Sequence, residues 1–333
     1  MRDKTYTPPY KITGDIIKKI SEISELIGIV TIKNDISIGP HLRRENQIRS
    51  IYSSLAIENN SLSLEQVTSI INGKRVLGLP NEIREVKNAH KAYNSLLSFN
   101  PFSIKDILKA HKILMDGLTE ESGCFRSGGV GIFKGKQLVH MAPPSELVPK
   151  LMNDLVKWVK TFDTHPLVKS CVFHYEFEFI HPFADGNGRM GRMWQTLLLS
   201  QWKPFFVWLP VETLVYERQQ EYYAVLATAD KAADSTVFIE FMLRVISDAL
   251  KELLDTAQVT AQVTAQVKRL LSVLGRKTMS AKDIMNNLGL KHRQSFNNTY
   301  LRPALVLGLI EMTVPDKPNS SKQKYRVIKP LIP

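Results

Sequence analysis

The 333-residue chain holds only two cysteines, Cys124 and Cys171, too few for a disulfide framework. That excludes the small stapled secreted classes and suits a reducing cytosol. Its longest apolar runs stay under ten residues, short of the roughly 20 that a membrane-spanning helix needs. Met1-Arg2-Asp3-Lys4 opens no apolar segment, which predicts a cytoplasmic protein without a secretory leader or membrane anchor. There is no G-x-x-x-x-G-K-[ST] phosphate loop and no H-E-x-x-H pair, so P-loop ATPases and zincins are excluded. With 44% hydrophobic and 23% charged residues the composition is that of a folded globular protein. The length allows two domains, or one large domain with an appendage.

What is present is unevenly spread. The net charge is +12, and Lys268 to Pro333 alone carry 13 Lys+Arg against 3 Asp+Glu. A basic terminal unit points to nucleic acid or an acidic partner, with a solvated basic face as the alternative. Residues 256–267 spell Thr-Ala-Gln-Val three times, with no glycine, proline or charge. They read as a spacer or a helix-entry segment. The expected division is an N-terminal helical region (1–100), a central domain (101–255), a linker (256–267) and a terminal domain (268–333).

Helical periodicity dominates before the linker. Ile16, Ile17, Ile20, Ile23, Leu26 and Ile27 fall at amphipathic spacing, as do Ile48, Ile51, Leu55 and Ala56. Further helices are expected over 84–98, 103–115, 146–162 and 236–254, with Ser145 as the cap of the third. Residues 128–133 and 137–141 flank Lys134-Gly135-Lys136 as a β-hairpin. In the tail, a helix over 265–274 leads to Ser280, an N-cap with Asp283 at the capping-box position. Helices over 281–287 and 292–307 follow, the latter bent at Pro303, then strands over 309–313 and 324–328. The fold class is mainly α: a helical bundle with one β-hairpin, then a small winged-helix domain.

The chemistry concentrates in His181-Pro182-Phe183-Ala184-Asp185-Gly186-Asn187-Gly188-Arg189-Met190-Gly191-Arg192. Gly186, Gly188 and Gly191 satisfy G-x-G-x-x-G, and Phe173, Tyr175, Phe177 and Phe179 alternate as a strand would. No βαβ unit surrounds them, and Val168, Cys171, Val172, Tyr175 and Phe179 fit a helix equally well. Asp-Gly-Asn-Gly ahead of a helix makes instead a nest of backbone N–H groups at a positive dipole end, suited to phosphates. Arg189 and Arg192, three apart, offer further phosphate contacts. Asp185 offers a carboxylate where Mg²⁺ would bridge, and His181 an imidazole able to take a proton. Phe183 turns inward as an anchor.

This segment resembles, position for position, the Fic motif H-x-F-x-[D/E]-G-N-G-R-x-x-R of Fic-domain AMP transferases. The resemblance implies transfer of AMP from ATP to a Ser, Thr or Tyr hydroxyl of a target protein, or of the enzyme itself, with release of pyrophosphate. His181 is then the base and Asp185 the Mg²⁺ ligand. Gly186, Asn187 and Gly188 cradle the α- and β-phosphates, Arg189 and Arg192 hold the outer ones, and Met190 and Gly191 complete the nucleotide segment. Gly123-Cys124-Phe125-Arg126 through Pro144 resembles the family's flap, which aligns a target strand and brings Leu138, Val139, His140 and Met141 toward the nucleotide. Tyr222 and Asp230 stand where the family contacts adenosine, or else pack the core. Ser54-Leu55-Ala56-Ile57-Glu58-Asn59 resembles the family's inhibitory pattern [S/T]-x-x-x-E-[G/N], in which Glu58 pairs with Arg192 and ATP binds unproductively. A homodimer is expected from the same resemblance. Two other functions fit the residues: removal of AMP from a modified protein, with Glu58 orienting water, and a nucleotide-sensing regulator that binds DNA through 268–333.

Overall fold

Prolines and small polar residues set where the helices begin. In the computed structural model, residues 6–37, 40–129, 131–134, 137–275, 277–306, 309–318, 320 and 322–328 are described, with backbone alone for 32–37, 40–41, 131–134, 137–141, 257–264 and 306. Contacts divide the chain into two units, Met1–Leu253 and Leu254–Pro333.

The first unit opens with α1 (Gly14–Ser37) and α2 (Pro40–Ile57). Then come α3 (Leu64–Ile71), α4 (Pro80–Asn94) and α5 (Ile104–Leu114). Ser63 and Gln66 close a capping box on α3, Pro80 stands in the first turn of α4, and the Ser103 side chain caps α5. A hairpin of β1 (Gly131–Lys134) and β2 (Gln137–Met141) follows, antiparallel, with a bulge between Ile132 and Phe133. The expected strand start at 128 moves to 131. Residues 130, 135 and 136, part of the expected hairpin, lie outside the described residues.

Next are α6 (Val148–Thr161), α7 (Pro166–Ile180), α8 (Asn187–Trp202), α9 (Val211–Glu217) and α10 (Gln219–Ala232). The cap expected at Ser145 is not one. Ser145 lies in a 3₁₀ turn and its hydroxyl donates to the Ser127 carbonyl at 2.9 Å. The 166–180 segment is helical: Phe173, Tyr175 and Phe177 are buried on different sides of a helix that is buried at most positions, while Phe179 is exposed. Pairs such as Phe173, Phe177, Trp194 and Leu197 form the centre of the unit. Each such side chain contributes about 1.5–3 kcal/mol by burial.

An extended strap precedes α1. The Ser235 N–H and hydroxyl both donate to the Pro9 carbonyl, and Tyr10 meets Trp158 edge-on. Helix α11 runs from Thr236 to Leu274 without a break, so the boundary between the units falls inside it. The repeat at 256–267 is therefore helical backbone rather than an irregular spacer.

In the second unit, β3 (Met279–Ser280) leads into α12 (Ala281–Leu288), capped by Ser280 with Asp283 as anticipated, and Gly289 ends it left-handed at φ +70°. Helix α13 (Arg293–Phe296) widens into a π-turn over Asn297–Leu301 before α14 (Arg302–Val306). Pro303, which has no N–H to donate, accounts for that widening. The expected end at Gly308 lies outside the described residues. Strands β4 (Ile310–Met312) and β5 (Lys324–Val327) complete an antiparallel sheet in the order β3-β5-β4. Val267, Leu270, Leu274, Ile284, Phe296, Tyr300 and Ile310 fill its core.

Candidate functional site

The loop between α7 and α8 is built around one asparagine. Asn187 accepts from the Phe183 N–H and donates to the Phe183 carbonyl, both at 2.9 Å, so its amide closes the turn as a second strand would. Phe183 is thereby driven into the core, where its ring lies flat on His111, centroids 3.6 Å apart. His111 spans the site in turn. The Gly123 N–H donates to its Nδ1, which leaves Nε2–H to donate to the Asp185 carbonyl at 3.0 Å. Burial lowers this imidazole from 6.5 to about 4, so it is neutral in the tautomer the two bonds require. Gly186 caps α8 at φ +85°, and a Cβ there would strike Met115 Sδ at 2.7 Å.

His181 ends α7 in the left-handed conformation, φ +50° and ψ +60°. A histidine pays about 1–2 kcal/mol for that geometry, so the surroundings must impose it. Its N–H donates to the Phe177 carbonyl, and its Nδ1 lies 3.3 Å from the Glu178 carbonyl. A carbonyl only accepts, so Nδ1 carries a hydrogen, which in the neutral ring puts the lone pair at Nε2. Arg126 supplies the clamp. Its guanidinium donates to the carbonyls of His181 (2.7 Å), Ile180 (3.4 Å), Gly128 (2.8 Å) and Pro143 (2.5 Å). One buried side chain thus ties the histidine's backbone to both feet of the hairpin.

The charged groups occupy the first turns of α8. Asp185, its side chain 60% exposed, accepts from the Gly186 N–H at 2.6 Å and from Arg189 at 3.1 Å. Arg189 also meets Glu85 of α4 at 3.3 Å, and Glu85 accepts from Asn60. The buried Arg189 Nε has no partner among the described residues. Arg192 faces α2 instead: it donates to the Ser54 hydroxyl (3.1 Å), the Ser54 carbonyl (2.9 Å) and the Glu58 carboxylate (2.7 Å). Burial works against that cation, but Glu58, Tyr222 and Glu178 together hold the group above its ordinary value. Glu58 itself lies one residue beyond α2, in a turn where Asn59 takes φ +66°. Asparagine tolerates that conformation, which gives the residue after the glutamate its chemical meaning. Gly188 completes the fit, since a Cβ there would collide with Glu58 Oε1 and approach Arg192 Nη1 to 2.9 Å.

The remaining expected residues separate. Leu138, Val139, His140 and Met141 lie on β2, whose side chains are outside the described set; Val139 is the extra residue at the bulge. Met190 is buried, and Gly191 lets α8 approach α7, where a Cβ would meet Glu178 Oε1 at 2.9 Å. Tyr222 is 1% exposed, its hydroxyl 3.1 Å from His174 Nε2, amid Phe238 and Phe241. Asp230 accepts from the Tyr175 hydroxyl at 3.0 Å. Sequence reasoning named Arg126 only as part of the flap, with no role of its own, and left out His111, Glu85 and Asn60. His111 shares a helix face with Ile107, Ala110 and Leu114, so nothing in its spacing marks it apart from a core position.

Residues 101–199 match the Fic/DOC family, and residues 265–328 match the C-terminal domain of filamentation induced by cAMP protein Fic-like. The protein adenylyltransferase Fic of Nematostella vectensis is 30% identical over 213 residues, which is 60% of this chain and 47% of that protein. The protein adenylyltransferase fic-1 of Caenorhabditis elegans is 31% identical over 217 residues, 61% of this chain and 40% of that protein. The chain thus spans less than half the length of these two relatives. The crystal structure of a Fic family protein from Desulfovibrio desulfuricans G20 shares 54% identity and a TM-score of 0.76, over 97% of this chain and 98% of the other. Likeness of that extent means that the chain belongs to the Fic family.

Proposed function

We propose that the loop from His181 to Arg192 transfers AMP from ATP to a Ser, Thr or Tyr hydroxyl of a target protein, and that Glu58 restrains the reaction. The observation that carries this reading is the placing of His181 at the end of α7, six residues before α8 opens, with its Nδ1 3.3 Å from the Glu178 carbonyl, so that in the neutral ring Nε2 is the nitrogen to take a proton. The first-turn N–H groups of that helix have no intrahelical acceptor, and with the dipole they favour phosphate oxygens. The hydroxyl oxygen bonds to the α-phosphorus as the bond from that phosphorus to the bridging oxygen breaks, and pyrophosphate leaves. The hydroxyl proton passes to His181 Nε2. Positioning and charge stabilisation supply most of the acceleration in such displacements. Relatives named protein adenylyltransferases support the same direction.

Magnesium fits as part of the nucleotide. Among the described residues no three His, Cys, Asp or Glu side chains form a metal cage. The exposed Asp185 carboxylate is a hard oxygen donor suited to an ion that arrives on the phosphates. Arg189 and Arg192 are the cations for the outer phosphates, and Arg192 is held by Glu58 at 2.7 Å. Removing one partner of a buried charge pair commonly changes its energetics by ~2–5 kcal/mol, enough to shift a bound nucleotide between poses. The two cysteines are free thiols. Among the described residues no helix is long and apolar enough to cross a membrane.

Incubating the Glu58→Gly variant with ATP labelled at either the α- or the γ-phosphate tests the reaction. Protein-bound α-label with free pyrophosphate supports AMP transfer. Protein-bound γ-label would make the protein a kinase, and release of AMP from a modified target without incorporation would reverse the direction.

A further inference from the structure

The second unit has a face that the reaction does not use. From Ile284 to Ile310 the sequence contains no Asp or Glu, while Lys291, Arg293 and Arg302 fall within it. This span covers most of α12, the turn at Gly289, and the helical run 293–306. Along that run, Phe296, Tyr300, Leu301 and Ala304 enter the core. Gln294, Asn298 and Arg302, spaced four apart, stand exposed on the opposite side. Lys291, His292, Arg293 and Ser295 are exposed at the same end. Lys322 and Lys324 are exposed beside and on β5. Acidic groups elsewhere in the unit are few: Asp255 is exposed at its start, Glu311 is paired with Arg326, Asp283 is spent on the Ser280 cap, and Asp316 is exposed.

We infer that the helical run 293–306 is a reading helix for duplex DNA, with Gln294, Asn298 and Arg302 facing base edges in the major groove and Lys291, Arg293, Lys322 and Lys324 on phosphates. Residue type decides between this and an acidic protein partner. An acidic protein needs cations alone, whereas Gln, Asn and Arg each present the paired donors and acceptors that match adenine and guanine edges. A helix with an apolar side anchored in a core and a polar stripe one turn apart is the shape that a major groove admits. The surrounding lysines supply the salt-dependent attraction to the backbone. This inference is independent of AMP transfer, since it concerns residues outside the His181 loop.

The test uses the full chain and a pool of duplex DNA of mixed sequence, first selected for retention and then measured by fluorescence anisotropy across a salt series. Retention should enrich a defined sequence, and affinity should fall steeply with salt. Asn298→Ala and Arg302→Ala should weaken the selected duplex about 10-fold or more each while changing the unselected pool little. Lys322→Ala should weaken both alike and make the salt slope shallower by about one. All three side chains are exposed, so circular dichroism should be unchanged. Failure to retain duplex DNA at low salt would overturn the inference. So would equal binding of polyaspartate and DNA with no sequence enriched and no effect of Asn298→Ala or Arg302→Ala.

Discussion

Gly188, Glu58 and Arg192 share so little space that each limits the others. A Cβ at 188 would overlap the Glu58 carboxylate and lie 2.9 Å from Arg192 Nη1. Gly188→Ala should therefore cost stability in the wild type and much less in a Glu58→Gly background. A double-mutant cycle on Tm reads this coupling, about 1 kcal/mol or more for groups in direct contact. Additive effects would mean that the glutamate does not occupy this place. Arg126→Ala strips donors from the carbonyls of His181, Ile180, Gly128 and Pro143. Its expected result is a loss of about 3 kcal/mol in stability and of activity in the Glu58→Gly variant, with Arg126→Lys recovering only part.

Buried acids and bases give opposite pH signatures. Burial raises Glu176, beside Tyr6, from 4.5 to about 7. Between those values the folded protein keeps a proton that the unfolded chain has released, so this contribution is full below 4.5 and lost as pH rises through 7. Burial lowers His111 from 6.5 to about 4 and His174 to about 3, so they cost stability as pH falls below 6.5. Glu176→Gln should accordingly gain on the wild type as pH climbs from 4.5 to about 7 and level off above. A Tm difference flat across that range would contradict the burial of the charge. At this scale the motif residues were legible because each carries a functional group at a fixed offset. His111 and Arg126 were not, since most of their partners are backbone atoms 12 to 74 positions away, which no spacing encodes.

At the scale of elements, α7 and α8 meet where Gly191 has no side chain. Gly191→Ala places a methyl 2.9 Å from Glu178 Oε1 and 3.1 Å from His174 Cδ2, and packed helices do not yield that distance freely. The variant should lose about 1–3 kcal/mol and melt lower, while an unchanged Tm would mean that the crossing is looser than described. Periodicity revealed α1, α2 and α5, because their buried positions recur at the helical period. It left α7 between helix and strand, since a helix buried at most of its positions has no broad polar face to mark its period. Continuation of α11 through the Thr-Ala-Gln-Val repeat follows from what the repeat lacks, a glycine or proline to stop it. The edge strand Met279–Ser280 is two residues long, too short to carry alternation, and only its pairing with β5 defines it.

At the scale of the whole molecule, the chain is two units with separate cores. All four tryptophans, Trp158, Trp194, Trp202 and Trp208, fall within the first. Ile284 is fully buried in the second, and Ile284→Ala should cost it about 2–5 kcal/mol. Far-UV circular dichroism should then show an earlier transition while tryptophan fluorescence keeps the wild-type midpoint. A common shift in both signals would mean that the units unfold together. The charge asymmetry that marked the second unit in the sequence belongs to the same scale, since it survives as an acid-free exposed face.

The most direct measurement compares incorporation of α-labelled AMP into protein by the wild type, Glu58→Gly, and Glu58→Gly/His181→Ala. Release of Arg192 from its 2.7 Å partner should raise incorporation about 30-fold or more in the single variant, the low end of what ~2–5 kcal/mol allows. The double variant should fall back to the background, because in this account His181 is the base that takes the hydroxyl proton. A silent single variant that still binds ATP, or a double variant as active as the single, would contradict the account.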